Sequence, residues 1–157
     1  MKLDKKFMRR AICEARKNLN KITGGPFGAC IVKGSKVIAV ARNTVLASDA
    51  SAHAEINAIR LASKKLKRFD LSGCVIYSTT EPCPMCFSAI HWARIDAVVY
   101  GTAIPDAKKL GFNELRISSK KMKAIGKSDV LIIPGFLYDE CLDLFNDWNV
   151  SEFKRIY

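Results

Sequence analysis

The chain has 157 residues, the length of about one domain and enough to bury a core without disulfide staples. Hydrophobic residues make up 49% and charged residues 26%, which excludes a disordered acidic tail, a collagen-like repeat and a membrane bundle. Lys and Arg number 26 against 15 Asp and Glu, a net +11 that leaves a nucleic-acid partner open, although Lys64–Arg68 and Lys120–Lys123 read more simply as solvated helix ends or loops.

Residues 4–20 place Phe7, Met8, Ile12, Ala15 and Leu19 on one face, which predicts an amphipathic helix. Thr23-Gly24-Gly25-Pro26 breaks it, and residues 27–32 read as a strand. Gly34-Ser35 turns into a second strand over 36–42, followed by a loop over 44–51 with no periodicity. A helix is expected over 52–66, a buried strand over 75–78, a helix from about Pro82–Pro84 to Trp92, and a strand over 97–100 that Gly101 ends. Residues 102–128 read as irregular with one or two short helices. A last strand covers 130–133, a helix 137–148, and a short tail 152–157. Alternating strands and helices predict an α/β fold with a mixed sheet covered on both faces.

No apolar run approaches the ~20 residues of a spanning helix. Met1–Phe7 carries no apolar signal-peptide core. A soluble, cytoplasmic protein with no membrane partner is therefore expected. Such a chain has little need of disulfides. Of its six cysteines, Cys30 and Cys74 read as small buried hydrophobes and Cys13 lies in a helical pattern.

Cys83 and Cys86 differ, because two residues between them let one helical turn aim both sulfurs at one centre. Near a helix N-terminus the dipole favours thiolate, the form that binds zinc. A structural zinc needs four protein ligands. Here His53, Cys83 and Cys86 supply three, while His91 reads as a surface or packing residue. The fourth position falls to water, the mark of a catalytic zinc. Glu55, two residues after His53, is placed to lean over that position, take a proton from the activated water and return it to substrate.

His-x-Glu followed by Pro-Cys-x-x-Cys is the zinc deaminase pattern. On His53-Ala54-Glu55, Glu81–Cys86 and the strand order, the chain resembles the cytidine deaminase superfamily over nearly its whole length. The resemblance implies a three-layer α/β/α sandwich around a five-stranded mixed sheet, with zinc held between two helix starts, in a single domain spanning 1–157. Within the superfamily it is most similar to bacterial-type guanine deaminases, on Gly24–Ala29, Ala89–Arg94, Asp106-Ala107, Gly111-Phe112 and the final Tyr157. That likeness implies hydrolysis of guanine to xanthine and ammonia by zinc hydroxide, with Glu55 as proton shuttle. It further implies that Phe27 stacks on the purine, Asn43 bonds its polar edge, Trp92 lines the pocket, and backbone N–H groups near Ala54 and Cys83 add donors. Glu114 would accept from the purine's N–H edge. Asn113-Glu114 departs from the family's two aspartates, keeping the charge on a longer arm. A homodimer is implied too, in which residues 136–157 pass between subunits and Tyr157 closes the partner's pocket. The alternatives are a tRNA adenosine deaminase, a cytosine or cytidine deaminase, and a zinc-stabilised RNA-binding module without catalysis.

Overall fold

A computed structural model describes residues 3–157. Helix α1 (Lys5–Arg16) starts on Asp4, whose side chain accepts from the Lys6 N–H, and its last turn tightens into a 3-10 turn over Lys17–Asn20. Strands β1 (Gly28–Lys33) and β2 (Lys36–Arg42) form the hairpin, and a short 3-10 turn (Val45–Ala47) lies in the loop beyond. Then follow α2 (Ala54–Leu66), β3 (Cys74–Thr80), α3 (Pro84–Trp92) and β4 (Ala97–Thr102). The segment read as irregular holds α4 (Ile104–Lys109) and α5 (Ser119–Gly126), before β5 (Leu131–Ile133) and α6 (Tyr138–Asn149).

The strand order is β2-β1-β3-β4-β5. β1 pairs antiparallel with both β2 and β3, while β3, β4 and β5 run parallel. Consequently β2, β3 and β4 all end at one edge of the sheet, where β1 begins. Side chains alternate across the pleat, so each strand feeds two cores. Ala29, Ile31, Ile76 and Val98 pack beneath Ala54, Ala58 and Ala62 of α2 and Phe87 and Ile90 of α3. Cys30, Val32, Tyr77 and Val99 face Phe7, Met8, Ala11 and Ile12 of α1 and Cys141 of α6. The expected three-layer sandwich is thus formed, α2 and α3 on one face and α1 and α6 on the other. Cys30, Cys74 and Cys141 are buried as free thiols. Lys64 and Lys65 lie in the last turn of α2 and Lys67 caps it, where cations complement the helix dipole. Among the described residues, no helix is long and apolar enough to cross a membrane.

The strand expected to end at Gly101 continues to Thr102, which pairs with Thr80 of β3. Gly101 is a point of close packing, not a breaker. A Cβ there would meet the Cys141 Sγ, lie 2.7 Å from the Cys141 Cβ and 2.8 Å from the Thr79 carbonyl oxygen. Absence of a side chain lets α6 lie directly on β4. Gly101→Ala should therefore cost ~1–3 kcal/mol of stability through overpacking. Gly126→Ala, whose Cβ meets nothing within 4 Å at the end of α5, should gain ~0.5–1 kcal/mol. Thermal and denaturant unfolding of the two variants checks both signs; equal stabilities would contradict the packing argument.

Candidate active site

The sheet edge where β2 and β3 end collects the functional side chains. Phe27 precedes β1, Asn43 follows β2, and Glu81-Pro82-Cys83 follows β3. The Asn43 N–H donates to the Phe27 carbonyl at 2.9 Å, and the Glu81 N–H to that of Thr102 at 2.8 Å, so the strand ends are tied together. Two helices start over this edge. His53 holds the N-cap of α2 and Cys83 that of α3, both with extended backbone. N-cap positions favour Ser, Thr, Asp or Asn because their side chains satisfy the free N–H groups of the first turn. Neither His53 nor Cys83 makes a side-chain cap, so each imidazole or sulfur is left for another partner. Pro84 follows at the first helical position, and Cys86, two residues further, points its sulfur to the same side. The loop carrying His53 is pinned by Asn57, whose Nδ2 donates to the Arg42 carbonyl, the Thr44 hydroxyl and the Ala52 carbonyl.

The nitrogen of His53 and the sulfurs of Cys83 and Cys86 all lie within 4.8 Å of one another. The Cys83 Sγ is 3.7 Å from the His53 Nδ1. Zinc–sulfur and zinc–nitrogen bonds of ~2.3 and ~2.0 Å in a tetrahedron require donor separations of about 3.5–3.8 Å, so the cluster is already near its size. The donor set of two sulfurs and an imidazole is also that of zinc. His53, Cys83 and Cys86 are placed to bind the metal ion.

The three ligands differ in how readily they hold a proton. The hydrogen bond from Cys86 lowers the Cys83 thiol to about 4, against the effect of burial and with help from His53. That same bond, burial and the Glu55 carboxylate push Cys86 well above the usual thiol range. Burial works against the His53 imidazolium, but Cys83 and Glu55 raise its pKa overall.

Glu55 stands in the first turn of α2 and is 6% exposed. Its Oε1 accepts from the Ser78 hydroxyl at 3.0 Å, and its Oε2 from the Cys86 thiol at 3.4 Å. Burial raises its pKa, the positive His53 opposing this and the Cys83 charge adding to it. The carboxylate is thus oriented by β3 on one oxygen and presents the other to the ligand cluster.

His53, Glu55 and Cys83 open into a cavity of about 330 Å³, a ligand-sized volume, lined also by Phe27, Asn43, Glu114 and Tyr157. Phe27 meets Phe112 edge-on, with ring centroids 4.9 Å apart. Tyr157 in turn meets Phe112 at 5.4 Å. Its hydroxyl donates to the Asn43 Oδ1 at 2.8 Å and accepts from the Gly25 N–H at 3.0 Å. Burial pushes the Tyr157 phenol up to about 12, so it stays protonated and fills both roles. Burial, followed by the Cys83 charge, raises the Glu114 carboxyl. Within the single chain the tail therefore returns to its own pocket.

Trp92 does not take the expected position. It is the last residue of α3, 77% exposed and outside the cavity. A nine-residue helix that begins at the ligands carries its end about 12 Å away. Ala54 is fully buried and does not line the cavity either; its N–H sits in the first turn of α2, where no intrahelical acceptor exists. The sequence reading gave two residues of the site no role. Phe112 entered it only as part of the Gly111-Phe112 likeness, and its segment has no periodicity to show that it packs between Phe27 and Tyr157. Ser78 carried a usable signal, since it shares a strand face with the buried Ile76 and a polar side chain there needs a buried partner.

Residues 1–102 match the model of the cytidine and deoxycytidylate deaminase zinc-binding region. The guanine deaminase of Bacillus subtilis is 47% identical over 109 residues, covering 69% of this chain and 70% of that protein. A tRNA-specific adenosine deaminase of Buchnera aphidicola is 38% identical over 156 residues, covering 97% of this chain and 89% of that one. The solved guanine deaminase of Nitrosomonas europaea superposes with a TM-score of 0.86 at 28% identity, over 96% of this chain and 87% of that chain. The match over residues 1–102, together with the 47% identity to a deaminase covered to 70%, shows that the chain belongs to the cytidine and deoxycytidylate deaminase zinc-binding family.

Proposed function

We propose that the protein hydrolyses the amino group of guanine, adding water across the C–N bond to give xanthine and ammonia. The observation that carries this reading is one cavity holding a buried carboxylate at the ligand cluster, Glu55, and a second carboxylate away from it, Glu114. His53, Cys83 and Cys86 would hold zinc, a Lewis acid that would lower the pKa of bound water from ~15.7 toward ~7. Glu55 moves the protons. Ser78 fixes its Oε1, so Oε2 is the oxygen that accepts one and returns it to the departing amine. Phe27 offers a ring face for stacking. Asn43 has its Oδ1 occupied by the Val45 N–H and the Tyr157 hydroxyl, which leaves Nδ2 to donate to an acceptor on the base. An ionised carboxylate only accepts, so Glu114 suits the N–H donors of guanine.

The similarity to tRNA adenosine deaminases and the net +11 support a second reading, adenosine in tRNA as substrate. Tyr157 over the cavity supports a free base instead, because a base within a polynucleotide has to arrive with its backbone attached. A homodimer in which residues 136–157 exchange is a separate proposal, which rests on the likeness to bacterial-type guanine deaminases.

Purified protein should contain one zinc per chain bound through two sulfurs and one imidazole nitrogen, as metal analysis and X-ray absorption would show. Glu55→Gln keeps the shape and the metal but cannot shuttle protons, so guanine turnover should fall by ~10²–10⁴ or more. Retention of a tenth of the activity would remove Glu55 from that role. Glu114→Gln should depress guanine turnover far more than stability, because a site built to pair with N–H groups loses ~10⁴ when the pairing fails. Ammonia release from guanine, cytosine and an anticodon-loop RNA, measured side by side, separates the substrate readings. Mixing a Glu55→Gln chain with one truncated before Ser151 tests exchange. Recovered activity requires a borrowed tail, whereas mixed dimers without activity place each tail in its own pocket.

A further inference from the structure

Asn18 lies in the 3-10 turn after α1, fully buried and outside the ligand cluster. It uses its whole side-chain capacity. Nδ2 donates to the Gly25 carbonyl and to the Asn43 carbonyl, each at 2.8 Å. Oδ1 accepts from the Thr23 hydroxyl at 2.8 Å and from the Arg42 Nε at 3.0 Å. Arg42 can only donate, so the amide orientation is fixed by the network.

The two carbonyls belong to the residues that hold Tyr157. The Gly25 N–H donates to the Tyr157 hydroxyl, and that hydroxyl donates to the Asn43 Oδ1. The bonds therefore close a ring, Asn18 to Gly25 to Tyr157 to Asn43 and back to Asn18. The ring joins four separate stretches of chain: the end of α1, the loop before β1, the end of β2 and the tail. Around it, Asn43 is held at every other polar atom. Its N–H bonds the Phe27 carbonyl, its carbonyl bonds Asn18, and its Oδ1 takes both Val45 and Tyr157. Only Nδ2 is left, and Asn43 borders the cavity. Room at this junction is tight: a Cβ on Gly24 would collide with the Asn43 Oδ1 and lie 2.5 Å from its carbonyl oxygen.

We infer that Asn18 is a positioning residue, which aims the Asn43 amide at the substrate and seats Tyr157 over the pocket. Only an amide meets the requirement. Two carbonyls need two N–H donors from one planar group, and the opposite side must accept twice. Aspartate of the same shape accepts but cannot donate, and an apolar residue leaves two buried carbonyls without partners. The role of Asn43 rests on the purine reading above; the ring itself does not.

The test uses the full-length zinc-loaded protein. In Asn18→Asp, and in Asn18→Ala, which adds no charge, amide hydrogen exchange without substrate should rise at least about tenfold at Gly25 and across residues 151–157, the size of one or two lost buried hydrogen bonds. Tyr157→Phe perturbs the ring from the tail, outside both hydrophobic cores, and should raise exchange at Gly25 likewise. For guanine, KM should rise by about tenfold with kcat changed less, at unaltered zinc content. Combining Asn18→Ala with Tyr157→Phe should weaken KM no further than the larger single change, because both break one ring. Unchanged exchange at Gly25 in Tyr157→Phe, or strictly additive effects in the double variant, would overturn the proposal. A purely structural role would lower the melting temperature and leave KM unmoved. Failure of the enzyme to act on guanine would sink the purine reading and leave the exchange result to judge the ring.

Discussion

Three donor atoms from two helices must meet at one point, and most of the architecture follows from that constraint. His53 and Cys83 reach it only because α2 and α3 begin at the same edge of the sheet. They begin there because β2 and β3 run in the same direction with β1 between them. Both N-cap positions are given over to ligands that cap nothing. Giving up a cap costs about 1 kcal/mol. The buried packing of Ala54, Ala58, Phe87 and Ile90 offsets that cost, since it fixes both helices on the sheet regardless of their caps.

Electrostatics at this edge then favours one distribution of charge. Helix N-termini present partial positive charge to Cys83, the sulfur that favours thiolate here, while burial and the neighbouring charges hold Cys86 above the usual thiol range. Glu55 is carried on one of these helices two residues past the ligand, close enough to face the cluster while Ser78 holds it. The opposite wall of the pocket is braced by a different buried acid. Glu81 accepts from the Ile104 N–H at 3.2 Å and the Ser119 N–H at 2.8 Å, so it fastens both ends of the segment that carries Phe112 and Glu114. A buried carboxyl is thus used twice, once for chemistry and once to anchor the loop over it.

The metal ligands were readable because their information is local. Spacing and the helix-start residues suffice to bring Cys83 and Cys86 together, and a count of available histidines adds His53. The covering of both sheet faces was readable from the alternation of strands and helices along the chain. Trp92 was misplaced because a likeness along the chain does not say how far a helix has travelled from its first turn. Gly101 was misread as a breaker because its reason is the neighbouring α6, which no window around residue 101 contains. Asn18 had no readable role for the same reason. Its partners lie at residues 23, 25, 42 and 43, and its meaning depends on a tyrosine 139 positions away (157 − 18). Long-range hydrogen-bond rings leave no periodic trace.

The central claim is that two helix starts build a three-ligand metal site whose neighbouring carboxylate stays out of the ligand set. Anomalous diffraction from crystals of the zinc-loaded protein, recorded at the zinc edge, tests it most directly. One strong peak bounded by the His53 Nδ1 and the sulfurs of Cys83 and Cys86, with both oxygens of Glu55 beyond bonding distance, is the predicted result. A peak ligated by Glu55, or centred away from the two helix starts, would contradict it.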